Sequence, residues 1–111
     1  MNNFPFYNHF AIKMVLSETL IDKGFINELA TKIVAGLRLT VVKESDFEFT
    51  EHGYTKVFIL SQSHLIFHTW PENGAVHIDL MTCSAGIGKK EIEEIFLGVS
   101  KTEIRIQELI Y

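Results

Sequence analysis

The sequence is poor in residues that cross-link a chain or send it through a membrane. Its 111 residues include one cysteine and two prolines, so no disulfide can form within the chain, and a reducing compartment, the cytoplasm, is expected. No apolar run approaches the roughly 20 residues that span a bilayer. The first ten residues lack the basic and apolar regions of a signal peptide. We therefore expect neither a membrane partner nor secretion.

The chain also lacks a large excess of either positive or negative charge. Ten basic and 14 acidic residues give a formal net charge of −4. Because no dense basic block is present, nucleic acid is not an expected partner. The hydrophobic content of 47% excludes intrinsic disorder. The length matches that of one domain, so residues 1–111 are predicted to form a single domain.

Hydrophobic periodicity predicts strands interspersed with two helices. Apolar residues recur at helical spacing from Ile26 onward and predict a first helix that ends at Gly36. Ser17 is the candidate N-cap of this helix, and Gly24 is a candidate break in its first turn. The other predicted elements are a helix over 87–99 and strands over 7–16, 37–49, 54–62, 65–70, 75–83 and 102–110. This order predicts an α+β two-layer sandwich, a mainly antiparallel sheet with both helices on one face.

A Pro-Glu-Asn-Gly turn at 71–74 fixes how two of the strands meet. A four-residue loop places Cys83 opposite Gln62, and a two-residue loop places it opposite His64. Either register gathers chemistry-bearing side chains on one sheet face: His68, His77, Asp79 and Cys83.

The preceding hairpin turns at residues 61–64 and brings a hydroxyl to the same face. Pairing around this turn sets Val57 opposite His68, so Thr55 shares that face. The other face is predicted to be apolar and to pack on the helices: Phe58, Leu60, Leu65, Phe67, Val76, Ile78 and Leu80.

Two kinds of chemistry fit these residue types only in part. His64, His68, His77 and Cys83 are zinc-type ligands, but His64 is expected to face away from the others, and no metal site is predicted. A Cys–His nucleophile is the second option, but it lacks an evident oxyanion loop or orienting partner.

A longer motif carries a resemblance to a known family. The run QSHLIFHTWPE at 62–72, followed by Asp79 and by Thr82-Cys83, resembles the prokaryotic S-adenosylmethionine decarboxylases, which are pyruvoyl-dependent enzymes of polyamine synthesis. The similarity in length and element order extends over nearly the whole chain.

The resemblance implies a proenzyme that cuts its own backbone between Gln62 and Ser63. The products would be residues 1–62 and 63–111, with the pyruvoyl cofactor formed from Ser63. The implied activity is decarboxylation of S-adenosylmethionine to the aminopropyl donor for spermidine. The family packs two protomers sheet to sheet with active sites at the interface, so a homodimer is expected.

Further residues take roles by the same resemblance. His68 is expected to assist processing at the ester stage, and Cys83 to support processing and protonate the product carbon. Thr55 is expected to polarise the carbonyl before the acyl shift. Three positions match contacts to the adenosyl part of the substrate. Phe49 is expected to stack on it, Leu65 to pack against it and Glu72 to bind its ribose hydroxyls.

The sequence departs from the family pattern at two positions and so keeps other functions open. Gln62 stands where the family has glutamate, and Thr55 where it has serine. Both positions touch processing. One alternative is a pyruvoyl-dependent decarboxylase of L-arginine or L-ornithine, and another is a non-catalytic partner subunit that is never cleaved.

Overall fold

The computed structural model describes residues 4–16 and 21–110. The predicted element order is confirmed, although most elements are shorter than predicted. The elements are β1 (Asn8–Val15), α1 (Lys23–Gly36), β2 (Val41–Glu48), β3 (Tyr54–Leu60), β4 (Ser63–Trp70), a 3₁₀ turn (Pro71–Asn73), β5 (Ala75–Thr82), α2 (Lys89–Phe96) and β6 (Glu103–Glu108). Neither of these helices combines the length and apolarity needed to cross a membrane.

The strands form one sheet in the order β2-β3-β4-β5-β1-β6, with every neighbouring pair antiparallel. Both helices pack on one face, and the predicted apolar face from Phe58 to Leu80 is buried beneath them as expected. The opposite face is called the open face below. Six of its polar side chains, from four of the strands, matter for the site: His9, Thr55, His64, His68, His77 and Asp79.

Helix α1 begins at a different cap from the one predicted. The side chain of Asp22 accepts a hydrogen bond from the backbone N–H of Phe25 at 2.9 Å, while Ser17 lies outside the described residues. Gly24 sits inside the first turn, so the predicted break is wrong. Gly36 does end the helix, and Arg38 then adopts a left-handed φ of 56°, which delays β2 beyond the predicted start.

The turn between β4 and β5 sets the register of the open face. Gly74 has a φ of 63°, and a Cβ there would lie 2.9 Å from the carbonyl oxygen of Leu16, so only glycine fits without strain. His68 pairs with His77, which is the register expected for the four-residue loop. The prediction that Val57 faces His68 is wrong by two residues, because Thr55 occupies that position.

Candidate active site

The hairpin turn between β3 and β4 contains the predicted cleavage point. Leu60 pairs directly with Ser63, so Ser61 and Gln62 form a two-residue turn. Gln62 adopts a left-handed φ of 61°. This conformation costs a residue with a side chain roughly 1–2 kcal/mol. The peptide that precedes Ser63 is therefore strained.

Cys83 reaches this turn from the end of β5. Its Sγ donates a hydrogen bond to the carbonyl oxygen of Gln62 at 3.2 Å, as the four-residue register predicted. The Oγ of Ser63 donates to the carbonyl oxygen of Ser61 at 3.2 Å. A hydroxyl and a thiol thus flank the Gln62–Ser63 peptide bond. We call Gln62, Ser63 and Cys83 the turn half-site.

His68 is held by a hydroxyl further along the sheet. Thr55 Oγ1 and His68 Nδ1 share a hydrogen bond of 2.9 Å, which orients the ring and leaves Nε2 for chemistry. Within this chain, the Thr55 hydroxyl therefore contacts His68, not the Gln62 carbonyl that it was expected to polarise. Cys83 makes that contact instead.

His77 and Trp70 complete the surroundings of His68, each with a ring centroid 6.4 Å from that of His68. Burial lowers the pKa of His77 from its usual 6.5, and the nearby His68 and Lys13 act in the same direction, against Asp79. His77 therefore favours its neutral form at neutral pH.

Two of the three predicted substrate contacts, Phe49 and Glu72, fall at the end of the sheet that is remote from Ser63. Phe49 is 53% exposed and packs edge to face on Phe47 with ring centroids 4.9 Å apart. Phe49 and the exposed Glu72 line an open cavity of about 750 Å³ together with Tyr54. We call Thr55, His68, Phe49 and Glu72 the strand-end half-site.

Two sequence expectations need correction here. Leu65 has no exposed surface and packs in the core beneath the helices, so a substrate on the open face cannot pack against its side chain in this arrangement. His64 was expected to face away from the other histidines, but it shares the open face with His68, because strand side chains repeat every two residues.

The two half-sites do not meet within one chain. Ser63 and His68 are five residues apart on β4, which corresponds to about 16 Å at the usual strand rise. The length of β4 from Ser63 to Trp70 corresponds to about 23 Å. The predicted register correctly brought Cys83 to the turn, but it does not bring His68 to Ser63.

Comparison with known proteins is consistent with this fold and this motif. The family described as S-adenosylmethionine decarboxylase matches residues 10–109. The chain is also similar to a solved structure, the adenosylmethionine decarboxylase of Aquifex aeolicus. The TM-score is 0.74 and the identity 24%, with 95% of this chain and 89% of that chain covered. At this identity, the match supports the fold alone.

Curated relatives extend the comparison. A protein of Symbiobacterium thermophilum, named S-adenosylmethionine decarboxylase proenzyme, is 42% identical over 72 residues, covering 65% of this chain and 54% of that protein. The chain thus spans about half the length of this relative. A proenzyme of the same name from Methanococcus maripaludis is 34% identical over 91 residues, covering 79% of this chain and 75% of that protein.

The molecule is thus a two-layer α+β sandwich with a hairpin turn at one end of its sheet whose Gln62 carbonyl accepts a hydrogen bond from Cys83. Given the extent of the family match, the chain belongs to the S-adenosylmethionine decarboxylase family.

Proposed function

We propose that this chain is a proenzyme that cuts itself between Gln62 and Ser63 and then decarboxylates S-adenosylmethionine. The observation that carries the proposal is the 3.2 Å hydrogen bond from the Cys83 thiol to the Gln62 carbonyl. That carbonyl belongs to a left-handed residue directly before a serine. The free thiol suits a reducing compartment such as the cytoplasm.

Processing begins with a shift of the acyl group from nitrogen to oxygen. Ser63 Oγ attacks the carbonyl carbon of Gln62, the C–N bond breaks, and an ester joins the two halves of the chain. The thiol of Cys83 stabilises the negative charge that develops on the carbonyl oxygen. The left-handed conformation of Gln62 also favours the shift, because the ester is a longer link between residues 62 and 63 and lets this strain relax.

The second stage breaks the ester. A base removes the α-hydrogen of Ser63, and the carboxylate of residue 62 leaves with the ester oxygen. Water then replaces the nitrogen of residue 63, which departs as ammonia, and a pyruvoyl group remains. We assign this base to His68, whose imidazole can accept a proton. Its hydrogen bond to Thr55 fixes the ring.

We propose that a second copy of the chain brings His68 to Ser63. Within β4 these two residues lie about 16 Å apart, which exceeds the reach of their side chains. Two copies stacked open face to open face about a two-fold axis place the turn half-site of one beside the strand-end half-site of the other. The partner's His68 then serves Ser63.

The open face has the composition of a surface that is covered in a dimer. It exposes the large apolar side chains of Phe47, Ile59 and Trp70, which a facing sheet would shield from water. Six strands of this length offer roughly 600 Å² of flat area per copy. Two such faces together approach the area buried in stable interfaces, about 1,200–2,000 Å².

The pyruvoyl group is the electron sink that decarboxylation requires. The residues of this chain supply the rest of the site. Cys83 is the proton donor for the product carbon, because its thiol is held beside the residue that forms the pyruvoyl group. Phe49 offers a ring face for the adenine, and the Glu72 carboxylate accepts hydrogen bonds from the ribose hydroxyls.

Intact-mass measurement of the purified protein tests self-cleavage. We expect two fragments, 1–62 and 63–111, the second with a pyruvoyl end. Ser63→Ala should give only the uncut chain of 12.7 kDa, whereas the matched control Ser61→Ala should be cut. A wild-type chain that is never cut would support the non-catalytic partner subunit instead.

The donor role of Cys83 is tested in the same assay. Cys83→Ala should slow cleavage by roughly 100-fold, the usual effect of losing one oxyanion donor, and Cys83→Ser should retain part of the rate. Equal cleavage rates in all three proteins would refute this role.

Release of labelled carbon dioxide tests the substrate. The cleaved protein should act on S-adenosylmethionine and leave L-arginine and L-ornithine unchanged. Turnover of a basic amino acid alone would replace the proposed substrate while keeping the cofactor.

A further inference from the structure

A cluster of two histidines and an aspartate lies on the open face, outside both half-sites. His9 Nε2 is 2.6 Å from Asp79 Oδ1, and His64 Nε2 is 3.4 Å from the same oxygen. One ligand atom from each residue lies within 4.8 Å of the others. We propose that His9, His64 and Asp79 bind one divalent transition-metal ion of the Zn²⁺ type.

The sheet holds these three side chains in place before any ion binds. His9 on β1 and His64 on β4 each pair with Met81 of the intervening strand β5. Asp79 lies two residues before Met81, so its carboxylate points to the same face between the two imidazoles. Because three hydrogen-bonded strands fix the ligands, little ordering is needed on binding.

The donor distances suit an ion with bonds of about 2.0–2.1 Å, for which tetrahedral ligands lie about 3.3 Å apart. The His64–Asp79 separation of 3.4 Å already matches this value. The His9–Asp79 contact of 2.6 Å is a hydrogen bond and must open by about 0.7 Å, which small side-chain rotations allow. The ion then replaces the proton that these two groups share.

The ligand set also selects the kind of ion. Two imidazoles and one carboxylate favour Zn²⁺, Co²⁺, Ni²⁺ or Fe²⁺, whereas Mg²⁺ prefers oxygen ligands alone. In a single chain the three side chains are 17–34% exposed, so an ion can bind them before two copies stack face to face. The Cys83 thiol is directed at the Gln62 carbonyl and is not part of this set.

Titration of the full chain with Co²⁺, followed by visible absorption, tests the site. We expect saturation at one ion per chain, with absorption typical of nitrogen and oxygen ligands and without a sulfur-to-cobalt charge-transfer band. His64→Gln and Asp79→Asn should each weaken binding at least about tenfold. His52→Gln, which alters an exposed histidine outside the cluster, should leave binding unchanged, and excess Mg²⁺ should not displace the cobalt.

The thermal unfolding midpoint supplies a second measurement that does not depend on cleavage or decarboxylation. Zn²⁺ should raise the midpoint of the wild type and of His52→Gln, but not that of the cluster variants, and circular dichroism checks that each variant folds. The proposal is overturned if the wild type binds no cobalt, if both cluster variants bind it as tightly as the wild type, or if Cys83→Ser abolishes binding.

Discussion

The proposed division of the active site between two chains leads to a complementation experiment. Ser63→Ala removes the residue that is cleaved, and His68→Ala removes the base about 16 Å away along β4. Each variant alone should be inactive, because every site in its dimer carries the defect. Co-expression of the two chains with different tags should restore activity.

The size of the restored activity follows from the symmetry of the dimer. Random pairing makes about half of the dimers mixed, and each mixed dimer has one intact site and one that carries both substitutions. The mixture should therefore show about a quarter of the wild-type decarboxylation rate. The intact site unites Ser63 of the His68→Ala chain with His68 of the Ser63→Ala chain.

Mass spectrometry makes the outcome more specific. About half of the His68→Ala chains should be cut in the mixture, because only those in mixed dimers meet an intact His68. The Ser63→Ala chains should stay whole. If the His68→Ala chain stays uncut in demonstrated mixed dimers, His68 acts within its own chain. If it is cut equally well when expressed alone, His68 has no role in processing.

Three further predictions concern strain and charge in the fold. Gln62→Gly should relieve roughly 1–2 kcal/mol of backbone strain and therefore slow cleavage, measured as a time course of intact mass. An unchanged cleavage rate would show that the strain does not assist the acyl shift. Burial and the 2.7 Å hydrogen bond to Asp46 raise the pKa of Tyr54 above its usual 10.0. The free energy of unfolding that the protonated Tyr54 hydroxyl contributes is therefore fully present below pH 10.0 and should be lost as the pH rises above that value. Tyr54→Phe should remove this part of the fall in denaturant titrations, and an identical pH profile would contradict the assignment. The buried Lys56 pairs at 2.8 Å with a Glu44 that is 54% exposed, so Lys56→Met should change the free energy of unfolding by less than about 1 kcal/mol, and a loss of several kcal/mol would refute this.

The parts of the site that could be predicted are those set by local signals. The Pro-Glu-Asn-Gly turn carries its own conformational preference, so the β4–β5 register and the approach of Cys83 to Gln62 followed from the sequence. The turn at 61–62 has neither glycine nor proline, and its left-handed residue is Gln62. Because no local signal marked that turn, the β3–β4 register was misjudged by two residues.

The part that could not be predicted depends on topology. His9 enters the cluster with Asp79 only because β1 lies between β5 and β6. β1 and β5 are distant in sequence, and no local motif specifies their pairing. The distance from Ser63 to His68 was available from the sequence in principle, because five residues of one strand span about 16 Å.

The sheet order also explains why a cut in the middle of the chain can leave the fold intact. Fragment 1–62 contributes β1, β2 and β3, and fragment 63–111 contributes β4, β5 and β6. These strands interleave, because β1 lies between β5 and β6 while β3 pairs with β4. Separation of the fragments would break three strand pairings and divide one hydrophobic core. Cleavage at the hairpin therefore removes one backbone bond and its local strain, while the packing that fixes Cys83 and the new end of residue 63 remains.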